Sequence, residues 1–197
     1  MKNIILMLAL MLIITANMAK ADDFSDGLEA FRNGDYAKAL KLWKPLAESG
    51  DAIAQYNLGV MYDNGEGVLQ DDKEAVKWYR KAAEQGLAQA QFNLGLMYRN
   101  CYGLLQDYKE AVKWYRKAAQ QGDSDAQFNL GNMYANGYGV LQDDKRAHMW
   151  WNISRSNGEK EHAGDNIEII SRIMPPSDIL KAQDMARKCV DSGYQDC

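Results

Sequence analysis

Residues 54–62 read Ala-Gln-Tyr-Asn-Leu-Gly-Val-Met-Tyr, and a closely similar segment occurs twice more at a fixed distance. This repetition indicates the fold. Residues 90–98 read Ala-Gln-Phe-Asn-Leu-Gly-Leu-Met-Tyr, and residues 126–134 read Ala-Gln-Phe-Asn-Leu-Gly-Asn-Met-Tyr. The period is 36 residues, and it defines three copies at 52–87, 88–123 and 124–159. A repeat of this length is typical of arrays in which every copy is one supersecondary unit.

Each copy predicts two amphipathic helices, here called helix A and helix B. In the first copy, Leu58 and Met61 recur at helical spacing, and Ala75, Trp78 and Ala82 do so after a glycine-containing loop. One such hairpin cannot bury its apolar face alone, whereas stacked copies form a continuous core. The sequence therefore predicts an all-α fold, an α-solenoid of stacked antiparallel helix hairpins.

Aspartates mark the start of helix B. Asp71 is followed three residues later by Glu74, a spacing that resembles a capping box, and the second copy repeats it. In the third copy Asp143 is followed by Arg146, which predicts a weaker cap.

The flanks of the three copies are predicted to close the array. Residues 22–51 form a shorter, related hairpin, which we interpret as the N-terminal cap, and residues 160–197 a C-terminal capping hairpin and tail. Pro175 and Pro176 interrupt the last hairpin, and Ser177 is expected to cap its final helix.

The copies resemble the Sel1-like repeat family, whose pattern is Leu-Gly-x-x-Tyr on helix A, a Gly-x-Gly loop, and Ala-x-x-Trp-Tyr followed by Ala-Ala on helix B. The resemblance covers 52–159 and extends to Gly-Asp-Tyr-x-x-Ala-Leu at 34–40 and Met-Trp-Trp-Asn at 149–152. It implies a right-handed superhelix, related to tetratricopeptide arrays and used mainly as a protein-interaction scaffold.

One face of helix A differs between copies, while its neighbours are constant. In tetratricopeptide-type arrays this face lines the concave groove, so we expect it to bind an extended or helical peptide of another protein. We call these positions the helix-A face: Ile53, Tyr56, Val60 and Asp63 in the first copy, Gln89, Phe92, Leu96 and Arg99 in the second, and Asp125, Phe128, Asn132 and Ala135 in the third.

The alternative is that the aromatic members, Tyr56, Phe92 and Phe128, belong to the core and that the other positions are neutral surface. Tryptophan at one position of all three copies, as in Trp78, is expected to be structural because of its large buried area.

Three cysteines occur. Cys189 and Cys197 lie close together near the end of the chain, and they are expected to form a disulfide in an oxidising compartment. Cys101 takes the loop position that Gly65 and Gly137 hold in the other copies, so it is predicted to be a lone thiol that is strained if the backbone needs positive φ.

The first residues predict export. Lys2 precedes an unbroken apolar run at 4–14, and Ala19-Lys20-Ala21 supplies small residues for signal cleavage after Ala21. The run is too short to span a bilayer, which requires about 20 apolar residues. We expect a periplasmic protein, or a secreted one, without stable membrane insertion after cleavage.

The composition of the 197 residues, with a net charge of −4 and no basic run, disfavours a nucleic-acid partner. The sequence lacks the Ser-x-x-Lys, Lys-Thr-Gly and Gly-x-Ser-x-Gly motifs, and its few Cys and His residues form no metal-ligand spacing. His148 stands where Val76 and Val112 lie in the other copies, which indicates packing.

We therefore expect no catalytic residues, metal or cofactor. The alternatives are a binder or hydrolase of a cell-wall fragment or β-lactam, as proposed for some cysteine-rich members of the family, and a secreted effector that contacts a host protein.

Overall fold

A computed structural model describes residues 21–159, 161–195 and 197 of the protein. These residues contain helices, turns and bends and no strand, which confirms the predicted all-α class. The chain forms two compact units, of which the first ends at Lys81 and the second begins at Ala82. The predicted signal sequence at 1–20 lies outside the described residues.

The first unit contains two hairpins. Residues 21–32 are helical (α1), and Ala21, after which signal cleavage is predicted, is exposed at the first described position. The helices that follow, α2 packing on α3, are α2 (Tyr36–Glu48), α3 (Ala52–Asn64) and α4 (Asp72–Glu84), whose last turn belongs to the second unit.

The second unit continues the alternation of helix A and helix B. From α5 to α8 each helix packs on the next, and α8 packs on both α9 and α10. The helices are α5 (Ala88–Asn100), α6 (Tyr108–Ala119), α7 (Ser124–Asn136), α8 (Asp144–Ser156), α9 (Glu161–Ser171) and α10 (Pro176–Asp191).

A glycine of helix A lies directly against an aromatic ring of helix B in every hairpin up to α8. A Cβ placed on Gly95 would stand 2.7 Å from the ring of Tyr115, a distance that no packed side chain tolerates. Because the glycine has no side chain, the ring can lie flat on the backbone of helix A. The pairs are Gly27 with Trp43, Gly59 with Tyr79, Gly95 with Tyr115 and Gly131 with Trp151.

Buried glutamines connect each hairpin to the hairpin before it. Gln127 is fully buried, and its Nε2 donates to the carbonyl oxygen of Ala119 at 3.0 Å. Gln91 donates in the same way to Ala83 at 3.1 Å, and Gln55 to Ala47 at 3.0 Å. We call Gln55, Gln91 and Gln127 the bridging glutamines.

The second unit extends these bonds with a second amide. Gln121 Nε2 donates to Gln91 Oε1 at 2.8 Å, and Asn157 Nδ2 donates to Gln127 Oε1 at 2.9 Å. Each pair is 30 residues apart in the chain. Both bonds lie within one hairpin and orient the bridging glutamine. Since burying an unbonded amide is costly, the bond of that glutamine to the preceding hairpin then holds the two hairpins in one register.

The predicted aspartate caps are present at helix B, but the capping box is incomplete. Asp71 Oδ1 accepts from the N–H groups of Lys73 at 2.9 Å and Glu74 at 3.1 Å. The Glu74 carboxylate pairs with Lys77 at 3.0 Å, while the N–H of Asp71 donates to the carbonyl of Tyr62. The reciprocal half of the box is therefore replaced by an ion pair.

The third cap is the weaker one, as predicted. Asp143 Oδ1 accepts from the N–H of Arg146 alone, at 3.0 Å. The prediction for Ser177 is wrong, because α10 begins at Pro176 with Pro175 in the cap position. Proline loses no hydrogen bond in the first turn of a helix, so this start needs no side-chain cap.

A disulfide closes the C-terminal tail. Cys189 and Cys197 are bonded, with 4.9 Å between their Cα atoms, and the loop between them carries Tyr194. The Tyr194 hydroxyl lies 2.9 Å from Asn157 Nδ2 and 3.2 Å from Asn157 Oδ1. The tail is thereby bonded to Asn157, the residue whose side-chain amide also bonds the bridging glutamine Gln127.

The backbone of Cys101 has the strain that its position predicts. Cys101 ends α5 with φ of 64°, and Gly65 and Gly137 end α3 and α7 with φ of 73° and 69°. This left-handed conformation is the one that glycine adopts at helix ends without steric cost. Cys101 is an exposed free thiol.

We expect Gly95→Ala to lower the free energy of unfolding by about 2 kcal/mol or more, because the new methyl group collides with the buried ring of Tyr115. The control is Gly164→Ala in α9, where no atom lies within 4 Å of an added Cβ. The control should gain about 0.5–1 kcal/mol from helix propensity. Urea unfolding followed by circular dichroism measures both, and equal shifts would contradict the close-contact role of Gly95.

Cys101→Gly is expected to stabilise the protein by about 0.5–1 kcal/mol, because glycine adopts positive φ freely. Gly137→Ala is the matched change at the same cap of the next copy, and it should destabilise the protein by about 1 kcal/mol. Scanning calorimetry of the two variants should give melting temperatures that move in opposite directions. A lower melting temperature for Cys101→Gly would refute the strain argument.

Candidate functional site

Half-buried aromatic rings of helix A pack at a tilt against the aromatic rings of helix B. The ring centroids are 5.8 Å apart for Tyr56 and Tyr79 and 6.0 Å apart for Phe92 and Tyr115. The same helix-B ring also contacts a glycine of helix A. Tyr56 and Phe92 therefore each have one side against the core and one side toward solvent. The aromatic members of the helix-A face thus belong partly to the core and keep one part of the ring accessible.

The first unit has an apolar pocket of about 210 Å³ on this face. Trp43, which is 1% exposed, is one of the residues that line it. The others are Tyr56, Asn57 and Val60 of α3, of which Tyr56 and Val60 belong to the helix-A face, and Leu28 and Phe31 of α1.

The walls of this pocket include residues that the sequence analysis missed. The residues before Asn33 were interpreted only as part of a cap, yet Gly27 and Trp43 make the same contact as Gly59 and Tyr79. Aligning these glycines places Phe24, Leu28 and Phe31 at the helix-A face positions of α1. That alignment is the sequence signal that could have found them.

Asp63 of the helix-A face is bonded within the first unit. Its Oδ2 accepts a hydrogen bond from the Tyr79 hydroxyl at 3.1 Å. Burial raises the pKa of Asp63, the Tyr79 hydrogen bond acts in the opposite direction, and the nearby charge of Asp72 raises the pKa further. Its neighbour on the same face, Ile53, is half-exposed at the start of α3.

In the second unit, Arg99 links α5 to α7. Its Nη1 donates to Asn129 Oδ1 at 2.7 Å. Burial raises the pKa of Tyr115 to about 12, and the positive charge of Arg99 opposes that shift. Arg99 therefore has a structural partner, while Leu96 is half-buried and Gln89 is exposed on the same face.

The third copy has its helix-A face partly covered by α9. The Asn132 Oδ1 accepts from Trp151 Nε1 at 3.2 Å and from Asn166 Nδ2 at 3.1 Å. The rings of Phe128 and His162 lie 6.1 Å apart. Side chains of α9 thus contact α7, while Asp125 at the start of α7 is exposed.

The remaining predicted residues are structural. Trp78 and Trp114 are each 6% exposed, and a lysine Nζ lies 4.2 Å from each ring centroid. His148 is 1% exposed, and its Nδ1 lies 2.7 Å from Asn152 Nδ2. Burial lowers the pKa of His148, and the charge of Arg155 adds to that effect, so the neutral imidazole is favoured.

Neither a metal centre nor a membrane span was found in the part of the chain that the structure describes. In that part, no three His, Cys, Asp or Glu side chains are arranged to hold a metal ion. None of its helices combines the length and the apolar character that crossing a membrane requires.

The fold has counterparts among solved structures. A Sel1 repeat protein from Oxalobacter formigenes is 36% identical with a TM-score of 0.72, and the match covers 81% of this chain and 65% of that one. A protective antigen of uropathogenic Escherichia coli is 27% identical with a TM-score of 0.62, covering 89% of this chain and 47% of that one. Helicobacter pylori cysteine-rich protein B, at 22% identity and a TM-score of 0.50, shares the fold.

One curated relative is similar over a shorter stretch. An exopolysaccharide production negative regulator of Rhizobium leguminosarum bv. viciae is 39% identical over 54 residues, which are 27% of this chain and 20% of that protein. The chain thus spans a fifth of this relative's length, and less than two thirds of the Oxalobacter and Escherichia proteins.

The family model named Sel1 repeat matches residues 17–51, 52–87, 88–123 and 124–159. The last three segments are the copies with the 36-residue period, and the first includes α1 and α2. These matches cover well over half of the chain, so the protein belongs to the Sel1 repeat family.

Proposed function

We propose that this protein is an exported, non-catalytic scaffold that binds a peptide segment of another protein on its helix-A face. Sel1 repeat proteins typically mediate protein–protein interaction. The observation that carries the more specific proposal is the apolar pocket on the helix-A face of the first unit.

The pocket has the size and lining of a side-chain anchor site. Its volume of about 210 Å³ suits one large apolar side chain of a partner rather than a whole small molecule. Binding energy at protein interfaces is concentrated in such anchors, where an aromatic or branched residue is fully desolvated. Asn57 is the amide in the lining, and it offers a hydrogen bond to a peptide backbone.

Two of the three charged members of the helix-A face have partners in the fold, while the third, Asp125, is exposed. Asp63 and Arg99 are bonded to Tyr79 and Asn129, so changing them would disturb the fold as well as any binding. Val60 is half-buried and lines the pocket. The apolar members are therefore the ones expected to meet a partner.

The peptide proposal is tested by selecting ligands for the protein from a random peptide library. Selected peptides should share one aromatic or branched apolar residue, since this residue fills the pocket. Val60→Glu should weaken a selected peptide by about tenfold or more, because it places a charge in the apolar pocket. Fluorescence anisotropy of the labelled peptide measures the dissociation constant.

Leu69→Glu is the matched control, because Leu69 lies in the same unit and is 91% exposed. The control should bind the peptide as the unchanged protein does, and both variants should keep the helical circular dichroism spectrum. Equal binding by Val60→Glu and the unchanged protein would reject the pocket as the binding site.

Export is proposed from the apolar N-terminal run and from the disulfide between Cys189 and Cys197, which is compatible with a periplasmic or extracellular protein. Intact-mass spectrometry of protein from the periplasmic fraction should give a chain that begins at Asp22. Alkylation without reductant should modify Cys101 alone. A chain that retains its first 21 residues, or three alkylated cysteines, would contradict this proposal.

A further inference from the structure

A second concave site lies in the second unit, between the C-terminal halves of α8 and α10. The cleft has a volume of about 420 Å³. Ile153, Ala186 and Val190 give it an apolar base, and Arg155, Arg187 and Asp191 stand among the polar residues of its lining. This volume is in the range of small-molecule sites, which is roughly 300–1,000 Å³. All of its residues belong to α8 and α10, so none is part of the helix-A face.

One lining residue of the cleft departs from the repeat pattern. Arg155 stands at the position that Ala83 and Ala119 hold in the preceding copies. Both alanines are at most 1% exposed, because the following hairpin packs directly on them. The long, charged side chain of Arg155 cannot be packed in this way, and Arg155 is exposed. A residue that departs from the repeat pattern thus lines the cleft beside α8 and α10.

The bridging bond is missing at the same place. Ala163 occupies the position in α9 that Gln91 and Gln127 hold in α5 and α7. Alanine has no side-chain amide that could donate to the carbonyl oxygen of residue 155. The repeat pattern is therefore interrupted at two positions, Arg155 at the end of the third copy and Ala163 in the C-terminal hairpin.

The charged residues that line the cleft are Arg155, Arg187 and Asp191, so positive charge exceeds negative charge there and favours an anion. Among the residues that the structure describes, Arg155 has no carboxylate partner, and its guanidinium donates only to Asn152 Oδ1 at 3.4 Å. Arg187 donates to Asp184 at 3.2 Å, but Asp184 also pairs with Lys188 at 2.8 Å. Guanidinium groups bind carboxylate and sulfonate groups through paired, charge-assisted hydrogen bonds.

We propose that this cleft binds an organic anion that has an apolar body, with the apolar part on Ile153, Ala186 and Val190 and the acidic group at Arg155. A free apolar carboxylic acid and the C-terminal carboxylate of an apolar peptide share this chemistry. The site is independent of the proposed peptide binding on the helix-A face, because the two surfaces have no residue in common.

The test is a fluorescence titration of the purified protein with 8-anilinonaphthalene-1-sulfonate, which combines an aromatic body with an acidic group. N-phenyl-1-naphthylamine is the neutral counterpart of this probe. The protein should bind the sulfonate at one saturable site and more tightly than the neutral compound. Arg155→Gln should weaken the sulfonate by about tenfold or more, since it removes a charged hydrogen-bond donor, and should leave the neutral compound unchanged.

Arg172→Gln is the matched control, because Arg172 is an exposed arginine of α9 outside the cleft and the change in charge is the same. It should leave both titrations unchanged. Val190→Glu is a second variant, and it should weaken both probes because it places a charge on the apolar base. The proposal is overturned if Arg155→Gln binds the sulfonate as the unchanged protein does, or if no saturable binding occurs.

Competition identifies the source of the anion. Displacement of the probe by 1-naphthoate supports a free acid as ligand. Displacement by N-acetyl-Ala-Ala-Leu with a free C-terminus, but not by its C-terminal amide, supports a peptide end. Displacement by neither compound overturns the proposal, because the carboxylate is its central requirement.

Discussion

The fold depends on a contact between a backbone and a ring. Where helix A carries glycine, an aromatic residue of helix B lies on the bare backbone, and the hairpin closes at a distance that no other residue permits. The contact is made by tyrosine in two hairpins and by tryptophan in two others, so the flat ring matters more than its identity. Glycine in a helix is a poor helix former, and the buried ring area offsets that cost.

A different kind of bond sets the spacing between hairpins. Apolar packing along a row of alanines is tolerant of small sliding, whereas an amide buried against a carbonyl oxygen has one acceptable position. The bridging glutamines therefore supply register, and the alanines around them supply burial. At Arg155 and Ala163 the alanine and the glutamine of the pattern are both absent, and Arg155 lines the cleft between α8 and α10.

The repeat period made the hairpins and their order predictable, because identical text at a fixed spacing carries more information than any local propensity. Residues with several uses were harder to interpret. The position of Gln91 is glutamine in all three copies, but sequence alone does not show whether its side-chain amide bonds a carbonyl oxygen or faces solvent. Asp63, Arg99 and Asn132 vary between copies as surface residues do, yet each has a partner from another helix.

The candidate sites were predictable to a smaller extent. The first hairpin is shorter than the copies, so a comparison at a spacing of 36 residues does not align its first helix with helix A of the first copy. Leu28 and Phe31, which line the pocket, were therefore missed. The cleft beside α10 depends on how a hairpin outside the repeat text packs, and no copy exists for comparison. Surfaces formed between two copies of the repeat can be predicted from the sequence, and surfaces formed between a copy and a flanking hairpin cannot.

The Tyr194 hydroxyl bears on how the array ends. A stack of hairpins linked by amides has the same difficulty as a β-sheet, whose last strand presents unused hydrogen-bonding groups to any passing chain. Here Asn157, the last amide of the series, is met by a phenol from the same molecule, and Cys189 and Cys197 close the loop that carries it. The side-chain amide of Asn157 is thus bonded within the molecule, as the backbone of a covered edge strand is.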